Sequence, residues 1–331
     1  MTKGTPWKLI FFFMVPVCCG NIFQNFYNIV DSMIVGRFLG VEALAAVGST
    51  SSINFLVIGW ITGMTSGFGI QLSQAFGAND HKRLRHYLAM SVYLCIGLAV
   101  LMTGGLLLAN GLILHWMNTP EEIFFNTKKY IGIIYAGLPV TILYNMLATI
   151  ARALGDSKTP LYFLVLSSVL NIVLDLLFVA VLPFGVAGAA AATLIAQVVA
   201  SIYCYIILSR IEGLKFQKAD FALESIQVSR LLKLSIPLAF QNAIIAVGGM
   251  IVQFVVNGFG VLFIAGYTAT NKLYGLLEMA AISYGSAVTT FVGQNLGANQ
   301  QSRAKKGVVV AIAVGIVVHG LFTLLLKKKN K

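Results

Sequence analysis

Three acids sit where a charge is expensive. Of the eleven carboxylates in the chain, Asp31, Asp175 and Glu278 lie inside long apolar runs rather than in loops or at run ends. Asp31 belongs to a polar series, Asn21, Gln24, Asn25, Asn28, Asp31 and Ser32, whose spacings of three and four form one stripe on a helix. In the fifth apolar run Asn171 and Asp175 are four apart and again share a face. At membrane depth a carboxylate costs about 3 kcal/mol by insertion scales unless it faces a cavity, a partner or an ion. Carboxylate, amide and hydroxyl oxygens together bind a hard cation. Two adjacent carboxylates can instead hold a proton between them. Either chemistry makes a coupling-ion site; the plainer alternative is that each acid only hydrogen-bonds a neighbouring helix. Thr193 in the sixth run could add a hydroxyl, against the common fate of bonding its own i−4 carbonyl. Asn28, Asn145, Gln197 and Glu278 are further cavity candidates. Lys272, a basic residue deep inside a run, lies six residues before Glu278, a poor same-face spacing.

These side chains must be held by membrane helices. Only 10% of residues are charged and 58% are hydrophobic, whereas a soluble domain is about 25% charged. A water-soluble enzyme is excluded, and the fold class is an all-α integral membrane protein. Nine apolar runs, near 9–35, 45–73, 87–115, 130–151, 161–182, 186–209, 231–257, 262–290 and 307–326, each match or approach the ~20 residues that cross a bilayer. Runs one and five point the same way, and both acids lie past the midpoints, so Asp31 and Asp175 are expected to meet at similar depth. With a cytoplasmic N-terminus, 15 basic residues fall inside and 3 (Arg37, Lys128 and Lys129) outside, before the C-terminal lysines are counted. That asymmetry predicts a multi-pass cell-membrane protein with its N-terminus in the cytoplasm. The net charge of +12 is then loop charge facing an anionic leaflet, with no nucleic-acid partner.

The chain also repeats itself. Gln74-Ala-Phe-Gly77-Ala78-Asn79 and a later Arg83 match Gln294-Asn-Leu-Gly297-Ala298-Asn299 and Arg303 at an offset of 220, and Pro16 matches Pro237 within one residue. A parallel repeat of this kind builds two-lobed transporters. It divides the chain into a six-helix lobe (1–209), a cytoplasmic linker read as a helix (210–230) and a three-helix part of a second lobe (231–331). The ion site is expected in the first lobe alone, because the matching part of run seven, around Val252-Gln253, has no acid. Gly59, Gly63 and Gly67, four apart, predict a helix-packing face. Pro16, Pro139 and Pro237 interrupt runs and can bend them. No P-loop, zinc-binding helix or nucleophile elbow is present, the four cysteines lack metal or redox spacing, and no enzyme activity, metal or cofactor is expected beyond a coupling Na+ or H+.

Taken together, Pro16, Val30-Asp31-Ser32, the doubled Gln-x-x-Gly-Ala-Asn, Leu154-Gly155-Asp156-Ser157-Lys158-Thr159-Pro160 and Asn171-x-x-x-Asp175 resemble the bacterial multidrug and toxic compound extrusion (MATE) transporters along essentially the whole chain. The resemblance implies two six-helix lobes in a V, and export of cationic or amphipathic drugs by a monomer in the lipid bilayer in exchange for Na+ or H+. It implies cation-site roles for Asp31, Asn171, Asp175 and Thr193, a helix bend at Pro16 and a cavity tyrosine at Tyr27. The family has twelve spans, so nine, with Lys327, Lys328, Lys329 and Lys331 falling outside, suggest a truncated or frameshifted product. The alternatives are a lipid-linked oligosaccharide flippase of the same superfamily, whose cavity would be expected to carry several basic residues, and a non-transporting membrane remnant.

Overall fold

The computed structural model describes residues 1–259 and 261–329, with side chains for all of these except 212, 257, 261–265, 268, 269, 272, 273, 276, 277 and 317–329. Among the described residues there is no strand, and the chain folds into eleven α-helices. They are α1 (Pro6–Leu39), α2 (Val41–Ser49), α3 (Ser51–Gly77), α4 (His81–Trp116), α5 (Glu121–Ala136), α6 (Leu138–Ala153), α7 (Lys158–Asp175), α8 (Val186–Ser209), α9 (Ser225–Asn257), α10 (Val261–Gly297) and α11 (Gln301–Lys329).

Among the described residues, six rods are long and apolar enough to cross a membrane, with α2 and α3 forming one of them, and α5 with α6 makes a seventh, bent by 49°. That bend falls where Gly137 meets Pro139: the proline has no N–H to continue the helical ladder and sits in the first turn of α6, where none is needed. The α5–α6 junction is also tight, since a Cβ on Gly137 would lie 2.1 Å from the Leu194 side chain. α1 runs unbroken through Pro16. The helices turn large apolar side chains such as Phe12, Leu101 and Leu108 outward. In water such a surface would be untenable; facing lipid it is the expected solution.

Two cores hold the first lobe. One, around Phe68, Tyr87, Met90, Phe163 and Cys204, joins α3, α4, α6, α7 and α8. The other, around Val35, Ile61, Ile131, Tyr135 and Ala189, joins α1, α3, α5 and α8 towards the opposite end. All four cysteines are unbridged.

The repeat is a physical interface. Gln74 to Asn79 and Gln294 to Asn299 end α3 and α10 alike, with Asn79 and Asn299 both left-handed (φ 57° and 58°) and matching i+4 and i+3 backbone bonds at Ala78, Asn79, Ala298 and Asn299. The two ends pack reciprocally. A Cβ on Gly77 would lie 2.0 Å from the Gln294 carbonyl oxygen, and one on Gly297 would lie 1.9 Å from that of Gln74. Up the same seam, Gly63 and Gly67 face the backbones of Ala239 and Ser235 of α9, so the glycine ladder packs helices as its spacing predicts. The lobes therefore close on each other at the end that carries most of the basic loops. Arg303 reinforces this end by donating to the Gly4 carbonyl at 2.6 Å, and the N-terminal amine of Met1 donates to the side-chain oxygen of Gln294. Burial and the Arg303 charge both hold that amine below its ordinary pKa.

The linker corrects its sequence reading. Residues 210–224 form two 3₁₀ turns, Glu212–Leu214 and Lys218–Phe221, and α9 begins at Ser225, ahead of 231. A helix loses here to side chains that satisfy the backbone locally. Gln217 and Asp220 cap each other reciprocally, and the buried Asp220 accepts from the Gln217 N–H at 2.7 Å and from Arg85 Nε at 3.0 Å. Asp220→Ala should cost about 1–3 kcal/mol, because it strands the largely buried Arg85 guanidinium. The readout is a lower melting temperature of the detergent-purified protein; an unchanged melt would show that the linker is not anchored there.

Candidate functional site

α1, α7 and α8 bring the polar residues of the first lobe to one place. α7 presents Asn171 and Asp175 on its inner face, 2% and 0% exposed, so both are sealed from lipid. Immediately after Asp175 the helix widens into a π-helical segment, Leu176–Val181. π-segments recur at functional sites, since the inserted residue re-aims side chains. Close approach of α8 accommodates the widening: a Cβ on Gly188 would lie 3.0 Å from Phe178. The small residues that open α8 let the two helices approach this closely.

The Asp31 and Asp175 carboxyls are neighbours close enough to act on each other electrostatically. Asn171, with its amide oriented to suit its neighbours, donates to Asp175 Oδ2 at 3.2 Å and accepts from the Thr193 N–H at 3.3 Å. Thr193 Oγ1 donates to its own i−4 carbonyl, Ala189 O, at 3.2 Å. Its oxygen keeps lone pairs for a further donor or a cation. Oδ1 of Asp31 and Oδ1 of Asp175 are both buried and have no hydrogen-bond partner among the described residues. Tyr27, paired with Gln24, and the buried Tyr130 both lie within electrostatic reach of the two carboxyls.

Asp31 opens onto a cavity of about 900 Å³ between the lobes. The polar stripe of α1 forms part of its wall through Asn21, Gln24, Asn28, Asp31 and Ser32, together with Tyr27. Asn25 leaves the stripe to donate to Met279 Sδ at 3.2 Å, and Asn21 also donates to Ser283 Oγ at 2.9 Å. Asn145 and Gln197 line the cavity as expected, and Gln197 accepts from Thr141 Oγ1 at 2.9 Å. The second lobe contributes uncharged polar residues, Gln241, Asn242, Ser286, Thr289 and Thr290.

One assignment is corrected. Glu278 does not line the cavity: it is exposed and lies one turn from Ile282, the α10 residue nearest it in the lining among the described residues. The side chain of Lys272 lies outside the described residues.

A family model described as MatE matches residues 16–177 and 237–327. The chain belongs to the MatE family. The two matched stretches of this MatE chain start at Pro16 and Pro237, the pair that the internal repeat aligns. Among relatives, the probable multidrug resistance protein YpnP of Bacillus subtilis is 33% identical over 304 residues, 91% of this chain and 68% of that protein. The probable multidrug resistance protein YoeA, also of Bacillus subtilis, is 30% identical over 335 residues, covering 98% and 72%. A crystal structure of MATE in complex with MaL6 superposes with a TM-score of 0.90 at 25% identity, covering 98% of this chain and 72% of that one. The family and the transporter fold expected from the motifs are both present.

Sequence reading missed three residues of this region. Tyr130 and Thr141 carry no signal beyond being polar groups in apolar runs. Arg152 was counted as loop charge because it adjoins Gly155 and Asp156, yet it lines the cavity. The Leu154-Gly155-Asp156 motif itself is a helix junction. Gly155 has φ 88°, and Asp156 Oδ1 accepts from the N–H groups of Lys158 and Thr159 at 2.9 and 3.0 Å.

Proposed function

We propose that this MatE protein is a secondary antiporter that exports amphipathic or cationic compounds through the cavity between its lobes, driven by an ion at Asp31 and Asp175. The observation that carries the reading is the carboxyl pair itself, buried at one side of a cavity of about 900 Å³. The names of YpnP and YoeA as probable multidrug resistance proteins support the export of drugs.

The same geometry favours a proton as the coupling ion. Two carboxyl groups can hydrogen-bond to each other only if one of them carries a proton. A bound Na+ would draw on Asp31 and Asp175 for charge and on the two free Oδ1 atoms for coordination; for Asn171 to take part it would have to turn its amide. In either case the ion cancels one of the pair's two negative charges, and removing it leaves two like charges facing each other at low dielectric. That repulsion is the force available to move α1 relative to α7.

On this reading the two lobes are closed towards the inside. With the basic end in the cytoplasm, the Gly77–Gly297 seam seals the inner side while the cavity reaches the carboxyl pair. Export then requires that seam to part when cargo enters from inside. Purified protein in vesicles loaded with a fluorescent amphiphile should show efflux on imposing a pH gradient at constant Na+, and little on imposing a Na+ gradient at constant pH. Efflux driven by Na+ alone would overturn the proton assignment, and efflux under neither gradient would overturn the antiport reading.

A further inference from the structure

The cavity has a second charged feature that the carboxyl pair does not use. Of the described residues lining it, Asp31 and Arg152 carry charge. Arg152 lies in the last turn of α6 and donates through Nη2 to Thr149 Oγ1 at 3.2 Å. Among the described residues it forms no ion pair. A guanidinium has five N–H donors in a planar fork and keeps its charge at any physiological pH. The bond to Thr149 uses one of those donors, and Arg152 forms part of the cavity wall.

An arginine serving only the α6 dipole would turn to the helix's last carbonyls and to solvent. Arg152 instead turns back along α6 towards Thr149. The walls beside it suit an amphipathic guest. Tyr144 and Phe163 pack edge to face with ring centroids 5.0 Å apart, giving an apolar surface, and Ser66 and Thr290 supply hydroxyls on facing helices. α3 presses close behind, since a Cβ on Gly69 would lie 2.6 Å from the Thr149 methyl, so the Thr149–Arg152 turn has little room to relax.

Distance separates this feature from the ion pair. Thr141, bonded to Gln197 one turn from Thr193, marks the near edge of the carboxyl cluster. From Thr141 to Arg152 is eleven residues of α6, about 16 Å, more than a small drug spans between its charged groups. A guest seated at Arg152 therefore leaves Asp31 and Asp175 to the coupling ion.

We propose that Arg152 is an anion-recognition site for cargo, taking the carboxylate of a zwitterionic amphiphile at the basic end of the cavity. The assignment rests on the export reading for its purpose. Carboxylate and guanidinium pair through two parallel N–H···O bonds, so the site selects a planar acid over its ester. Simple cations are then weaker cargo than compounds that carry both charges.

Rhodamine 110 and rhodamine 123 test this directly, because they share a cationic ring system and differ by a carboxylate against its methyl ester. Binding of each is measured by fluorescence polarisation to the detergent-purified full chain. The wild type should bind rhodamine 110 at least about tenfold more tightly than its ester, the size of a charge-assisted hydrogen bond. Arg152→Gln should remove that preference while leaving rhodamine 123 affinity and the melting temperature unchanged, and Arg152→Lys should keep part of it. No preference in the wild type, or an equal loss of both dyes in Arg152→Gln, overturns the anion site while export stands. If neither dye binds the wild type, the anion site falls, while the export reading is decided by efflux under the two gradients. If the preference is present but neither dye is moved by a gradient, the site stands and the export reading fails.

Discussion

Asp175→Asn is expected to abolish gradient-driven efflux without unfolding the protein. Asparagine keeps the shape of the side chain and can still meet Asn171, so the buried junction between α7 and α8 survives. It cannot carry a proton between itself and Asp31, and it supplies no charge to a cation. Changes to groups that merely support an ion ligand cost about 10–100-fold; loss of a direct ligand should therefore reduce coupled efflux by at least about a hundredfold. Asp31→Asn should do the same for the same reason, and the double variant should be no worse than either single one, because the two act as a unit. Efflux from vesicles under a pH gradient reads the result, with size-exclusion profile and melting temperature showing that the fold is intact. Coupled efflux at wild-type rate in either single variant would remove the pair from the mechanism.

The pair was legible before any coordinates because of cost. An acid inside an apolar run needs a reason, and Asp31 and Asp175 shared depth and direction. Asn171 followed from its i, i+4 spacing to Asp175. What spacing could not give was orientation. Thr193 is on the right helix face; its hydroxyl proton goes to Ala189 O while its oxygen keeps lone pairs for another partner, a division that composition does not decide. Glu278 met the same test of cost as the aspartates and failed on position, since Ile282, the α10 residue nearest it in the cavity lining among the described residues, is a turn away. Arg152 escaped for the opposite reason. A charge next to a turn motif reads as solvated, and only the packing of α3 against α6 shows that it faces inward. The linker was misread because polar composition alternating with apolar residues suggests an amphipathic helix, whereas Gln217, Asp220 and Arg85 settle the backbone into 3₁₀ turns. The repeat, by contrast, was fully readable as a pattern, and the structure adds what it is for.

That purpose supports the second large effect. Gly77→Val is expected to open the seam between the lobes. The added Cβ would sit 2.0 Å from the carbonyl oxygen of Gln294, a backbone atom at the end of a helix, with no flexible side chain to yield. Overpacking of this kind costs about 1–3 kcal/mol, so the seam should part roughly ten- to a hundredfold more often. Because the contact is reciprocal, the disturbance must reach both halves of it. Hydrogen–deuterium exchange should rise in residues 74–80 and equally in residues 294–300, although the substitution touches only the first. Gly297→Val should give the same pair of changes from the other side. Gly97→Val is the control, since a Cβ there would meet nothing within 4 Å, and its exchange should match the wild type. Faster exchange confined to the substituted segment would mean that each helix end is held by its own lobe, and the repeat would then be a relic of ancestry rather than a gate. A paired increase accompanied by lost efflux would identify the duplicated Gln-x-x-Gly-Ala-Asn as the closure that export must break and remake.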